Sequence, residues 1–142
     1  MVDTLGGLKM PIEYEVQEDG RFVSAKAFGT VTDHDLLEYE VAHASDERIK
    51  APADELLEIT TDAKVLLTRE GIEQALRKVE EMGARYPCRH CAIVVRCFGK
   101  ETWELAKFYE TTARLNAPPS VIVFGNVEVA NIWLGRAPAR RL

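Results

Sequence analysis

Three cysteines in 142 residues are too few, and odd in number, to make the disulfide framework of a small secreted domain. They suit free thiols in a reducing compartment. Basic residues are also in the minority. Eighteen Lys and Arg against 23 Asp and Glu leave a formal net charge of −5, a field that repels nucleic acid and anionic membrane. The one basic cluster, Arg136, Arg140 and Arg141, is too small to track a phosphate backbone. No apolar run approaches the roughly 18 residues that span a bilayer, and residues 1–10 lack the apolar block of a secretory signal. The expectation is a cytoplasmic protein with no nucleic-acid partner and no transmembrane segment. A phosphate loop, a nucleophile–base pair and a complete metal set are missing as well, so neither an enzyme class nor a cofactor is indicated.

What the chain does have is ordinary globular composition, 46% hydrophobic and 29% charged, at a length that suits one domain and can bury a core without staples. Residues 1–10 carry no period and read as a loose arm, 11–135 as the domain, and 136–142 as a short basic tail. Ile12, Tyr14 and Val16 alternate with Glu13, Glu15 and Gln17, the period of a half-exposed strand near a sheet edge. Glu18-Asp19-Gly20 marks a turn and 21–29 a second strand, giving an antiparallel hairpin.

Thr32 opens a helix with Asp35 at the capping-box position. Leu37, Val41 and Ala44 space its apolar face. A third strand covers 54–59. Thr68 caps a second helix with the stripe Ile72, Ala75, Leu76, Val79 and Met82. Residues 92–95 and 121–124 are apolar on consecutive positions, as in buried parallel strands. The helix 101–116 separates them. A last helix, capped by Asn126 and stopped by Gly135, turns Val129, Ala130, Trp133 and Leu134 inward. The order ββαβαβαβα predicts an α/β fold, a mixed and largely parallel sheet of about five strands with four helices.

Several residues invite a chemical reading. Cys88-Arg89-His90-Cys91 places two thiols at a chelating or redox spacing. Zinc needs about four ligands; no second pair exists, and alternation along a strand points His90 and Cys97, the other candidates, apart from the pair, so no structural zinc is expected. His34 lies between Asp33 and Asp35, where a His–Asp pair could act as a base, although acidic residues suit a first helical turn anyway. His43 sits near the same helix's end, where a cation meets the dipole without needing a function. Glu58 stands inside an apolar strand, where burial would raise its pKa. Thr60-Thr61-Asp62 follows a strand end, a common ligand position and equally plain turn chemistry. Trp103, Phe108 and Tyr109 on the third helix, with Trp133 beyond it, read as core or as the lining of an apolar cavity.

The stretches Leu56-Leu57-Glu58-Ile59, Leu105-Ala106-Lys107-Phe108-Tyr109-Glu110, and Val121-Ile122-Val123-Phe124-Gly125-Asn126 leading to Ala130-Asn131-Ile132-Trp133-Leu134 resemble the SpoIIAA-like, or STAS-like, group of small bacterial domains over about residues 12–135. The resemblance implies two functions. Stand-alone members resemble lipid-carrier folds, which implies a non-enzymatic module for an apolar or lipid-like small molecule, or for a membrane surface. Anti-sigma-factor antagonists of the fold are protein-interaction modules switched by phosphorylation in an Asp-Ser-Ser-Gly motif at the second helix. Here that motif is Thr68-Arg69-Glu70-Gly71, with the glycine kept and both serines replaced, so no serine switch is expected. The two doubly apolar strands want cover on both faces, and the third helix, between Phe98-Gly99 and Pro118-Pro119, is the expected mobile cover. An apolar cavity bordered by Trp103, Phe108 and Tyr109, or a homodimer interface on that surface, is the corresponding expectation.

Overall fold

The computed structural model describes residues 11–82, 87–97, 99–116 and 120–136. The arm 1–10, Phe98, Pro118, Pro119, Arg140 and Arg141 lie outside them. In chain order the elements are β1 (Ile12–Gln17), β2 (Phe22–Ala27), β3 (Thr30–Thr32), α1 (Asp33–Ala44), β4 (Ala53–Ile59), β5 (Lys64–Leu66), α2 (Arg69–Met82), β6 (Cys88–Val95), α3 (Lys100–Asn116), β7 (Ser120–Phe124) and α4 (Val127–Trp133). The main sheet runs β1-β2-β4-β6-β7. Among the described residues, only the hairpin β1–β2 is antiparallel. The sequence reading missed a second sheet, β3 paired with β5. Strands of three residues are too short for a period of two to show.

Each crossover, β2-α1-β4, β4-α2-β6 and β6-α3-β7, moves one strand along in the same direction. Right-handed crossovers then set α1, α2 and α3 on one face. Their buried side chains, Leu36, Tyr39, Ile72, Ala75, Leu76, Ala106, Tyr109 and Ala113, pack on Ala25, Leu57, Ile59, Cys91, Ile93, Val121 and Val123. From the sequence, the opposite face needs a mobile helix, a second copy or a ligand as cover. Instead α4, which leads to no further strand, folds back and seals it, with Ala130 and Leu134 on Phe22, Leu56, Ala92 and Val94. Towards β1 that face carries exposed Glu13 and Glu15 and stays wet.

Two helix faces differ from the sequence reading. On α1 the buried residues are Leu36, Tyr39, Glu40 and His43. Leu37 and Val41 instead line a broad groove of about 540 Å³ beside Ile12 and Tyr14. Ranking by hydrophobicity favours the aliphatic residues, whereas beside Leu36 the buried face is made of Tyr39, Glu40 and His43, which carry hydrogen bonds. On α4, Val129 is half exposed. The caps are as expected. Thr32 Oγ1 accepts from Asp35 N–H while Asp35 Oδ2 accepts from Thr32 N–H, and Gly135 ends α4 at φ 77°.

Candidate functional site

The helix-covered face holds a group of buried polar side chains where an apolar layer would be the default. Tyr39, Glu40 and His43 come from α1, Glu55 from β4, Cys88 and Cys91 from β6, and Tyr109 from α3. Residues three apart in a strand normally face opposite ways. The register slips between Ala53 and Asp54, however, so that Ala53 pairs with Cys88 and Asp54 with His90. This bulge leaves Arg89 as the extra residue and turns both cysteines under the helices. Cys88 and Cys91 therefore lie within β6, which begins four residues earlier than the apolar run suggested.

Glu55 is the hub. Tyr39 Oη donates to Glu55 Oε2, and His43 Nε2 lies 3.5 Å from Glu55 Oε1. His43 Nδ1–H donates to the Tyr39 carbonyl at 2.8 Å, and the two rings stack with centroids 4.4 Å apart. Glu40 Oε1 stands 3.9 Å from His43 Nε2, and its other oxygen accepts from Tyr109 Oη. Burial alone would lower the His43 pKa. The Glu55 carboxylate, a hydrogen bond with Cys88 and the Glu40 charge together outweigh it and hold the ring cationic well above the usual histidine range. Burial would likewise raise Glu55, but His43 and the hydrogen bonds from Tyr39 and Cys91 lower it. Burial drives Cys88 up to about 11, and raises Cys91, Tyr39 and Tyr109 well above their ordinary values.

Above this group lies a cavity of about 50 Å³. Leu57, Ile59 and Ile93 form its floor, Leu105, Ala106 and Thr102 of α3 its roof, and Glu40, Glu55, Tyr39 and Tyr109 its polar end. Tyr109 is thus a wall. Trp103 is 39% exposed, and Phe108 is half-buried with the Arg69 guanidinium 4.6 Å above its ring. Among the described residues neither lines the cavity.

The other singled-out residues lie elsewhere. Glu58 is on the opposite face and pairs with Arg96 at 3.3 Å, so the buried carboxylate of β4 is Glu55 rather than Glu58. His34 points to solvent and meets Glu38 at 3.1 Å, not its neighbouring aspartates. Asp33 instead accepts from the Thr68 N–H and hydroxyl at 2.8 and 2.6 Å, while Asp35 serves the cap. Thr68 Oγ1 also accepts from Gly71 N–H at 3.0 Å. A Cβ on Gly71 would stand 2.0 Å from Asp33 Cγ, so glycine is required where α2 meets α1. Thr60 donates to Asp62 in an exposed turn.

Sequence reasoning gives His43 no function and does not single out Glu40 or Glu55. Their signal was the spacing Leu36, Tyr39, Glu40, His43, a helical face at i, i+3, i+4 and i+7, together with Glu55 two residues from Leu57 on the same strand face.

No protein-family model matches the sequence, and none of the curated proteins matches it. Among solved structures the chain is similar to an uncharacterised protein of the DUF3478 family with a SpoIIAA-like fold from Shewanella loihica PV-4, at 21% identity and a TM-score of 0.53, covering 87% of this chain and 91% of that one. In its element order, its mixed five-stranded sheet and its four helices, the chain has the SpoIIAA-like fold.

Proposed function

We propose that this protein is a non-enzymatic binding module whose site is the cavity between the sheet and α3. The observation that carries the reading is the cavity's make-up: apolar walls that converge on buried carboxylates at one end. Glu40 and Glu55 offer acceptors there, while the Tyr39 and Tyr109 hydroxyl protons are already donated to them. The fitting ligand is a short, mainly apolar molecule whose polar end donates, an alcohol or an amine. At about 50 Å³ the cavity is well below the ~150 Å³ that holds benzene in an engineered core. A lipid-like chain therefore needs α3 to move outward.

Thermal unfolding with propanol, butanol, hexanol and the matching amines tests this. Wild type is stabilised in a concentration-dependent way, and Ala106→Leu, which fills the roof, is folded but unresponsive. Equal responses from both proteins would refute the site. Exposed Val129 and Ile132 on α4 favour a second reading, a protein-interaction or homodimeric module, which analytical ultracentrifugation of wild type and Ile132→Asp distinguishes.

A further inference from the structure

From the convergence of His43, Glu55 and Cys88, we propose that the chain holds one divalent transition metal of the zinc class, ligated by His43 Nε2, a Glu55 oxygen and the Cys88 thiolate. From the sequence, two further ligands beside Cys88 and Cys91 are not in reach by spacing, which argues against zinc. The fold removes that ground. The bulge in β6 turns Cys88 under α1, where a histidine ring nitrogen, a carboxylate oxygen and the sulfur all lie within 4.8 Å of one another. All three residues are buried.

The histidine–glutamate separation suits a metal. Ligands 2.0–2.3 Å from zinc stand about 3.3–3.8 Å apart along a tetrahedron's edges, and His43 Nε2 is 3.5 Å from Glu55 Oε1. The outer atoms of these two ligands are already tied as metal ligands require. His43 Nδ1–H donates to the Tyr39 carbonyl, which leaves Nε2 to face Glu55. Tyr39 Oη holds Glu55 Oε2, and Oε1 is the oxygen that faces His43 Nε2. One residue thus orients both. Charge agrees as well. A divalent ion with one thiolate, one carboxylate and a neutral imidazole sums to zero at the ligand set itself, with the Glu40 carboxylate beside it. The mixed nitrogen, sulfur and oxygen set selects zinc-like ions over magnesium or calcium.

Three protein ligands leave a fourth position. Glu40 Oε1 lies 3.9 Å from His43 Nε2, and Glu40 and Glu55 both border the cavity. The metal site stands whether or not the cavity takes an organic ligand.

The test is titration of chelator-treated, folded protein with Co²⁺ as a spectroscopic stand-in for zinc. Wild type takes up one equivalent with a thiolate-to-cobalt charge-transfer band and the strong visible bands of four-coordinate cobalt, and Zn²⁺ bleaches both. Cys88→Ser loses the charge-transfer band and binds at least tenfold more weakly, Glu55→Gln keeps the band with at least tenfold weaker binding, and Cys97→Ser matches wild type. Far-UV circular dichroism establishes that each variant is folded. The assignment is overturned if folded wild type gives no charge-transfer band, or if the band survives in Cys88→Ser. If Cys88→Ser does not fold, wild type decides alone, because saturation without thiolate ligation refutes the set.

Discussion

Replacing Glu55 by Gln should reverse the pH dependence of stability of the metal-free protein. His43 is fully buried, and its pKa is raised above 6.5 although burial, the largest influence on it, acts downward. A raised histidine contributes stability that is fully present below pH 6.5 and is lost as pH rises through the folded value. Glu55 is lowered from 4.5, so its share is present above pH 4.5 and is lost as pH falls through its folded value. Wild type should therefore show a plateau between pH 4.5 and 6.5. Glutamine keeps the size of the side chain and an acceptor for Tyr39 but removes the charge. Burial, the largest influence on the ring, is then opposed only by the Cys88 hydrogen bond and the more distant Glu40, and the ring resists protonation. Stability should fall below pH 6.5, by up to about 1.4 kcal/mol per pH unit. Removing one member of a buried pair costs about 3–5 kcal/mol in general. With an unfolding entropy of about 0.3 kcal/mol per kelvin for this length, 3 kcal/mol is a Tm loss of about 10 °C. Thermal unfolding in chelator from about pH 5 to 8 reads both quantities. A variant that is flat or gains stability as pH falls from 6.5 to 5 would refute the charge pairing. Replacing His43 and Glu55 together by leucine should recover most of the loss, since an apolar pair needs no counter-charge.

Three further outcomes follow from the packing. Gly71→Ala should lower stability by about 1–3 kcal/mol in urea unfolding, because its Cβ meets Asp33 where α2 abuts α1; an unchanged midpoint would contradict that contact. Native protein should resist Ellman's reagent near neutral pH, since Cys88, Cys91 and Cys97 are all buried and Cys88 is driven to about 11. Unfolded chain should titrate fully, and rapid native labelling would show the thiols to be reachable. Thr68 should carry no phosphate after incubation with an anti-sigma-type kinase and ATP, because its hydroxyl is engaged by Asp33 and Gly71; peptide mass mapping checks this.

Much of the fold was legible in local pattern. The alternation of β1, the α2 stripe, the capping box at Thr32 and Asp35, and the two doubly apolar strands each carry their own period. The polar site was not, for reasons particular to its residues. Glu55 and Glu58 are two carboxylates in one strand, three apart and so on opposite faces. Which of them is buried depends on α1 lying over one face, a tertiary fact. Reading α1 by hydrophobicity favoured Leu37 and Val41 over Tyr39, Glu40 and His43, since nothing local reveals the partners that make a buried polar face tolerable. Cys88 and Cys91 read as chemically isolated because the bulge that turns both under α1 has no marker in the sequence such as a glycine.

Xenon diffused into crystals of the protein tests most directly whether the space under α3 is a binding cavity, since the gas occupies small dry apolar voids. One xenon atom is expected between Leu57, Ile72, Leu105, Ala106 and Tyr109, beside the carboxylate end, and it should be absent in Ala106→Leu. Xenon found only beneath α4, or in the α1–β1 groove, with Ala106 packed down on Ile93, would contradict the site.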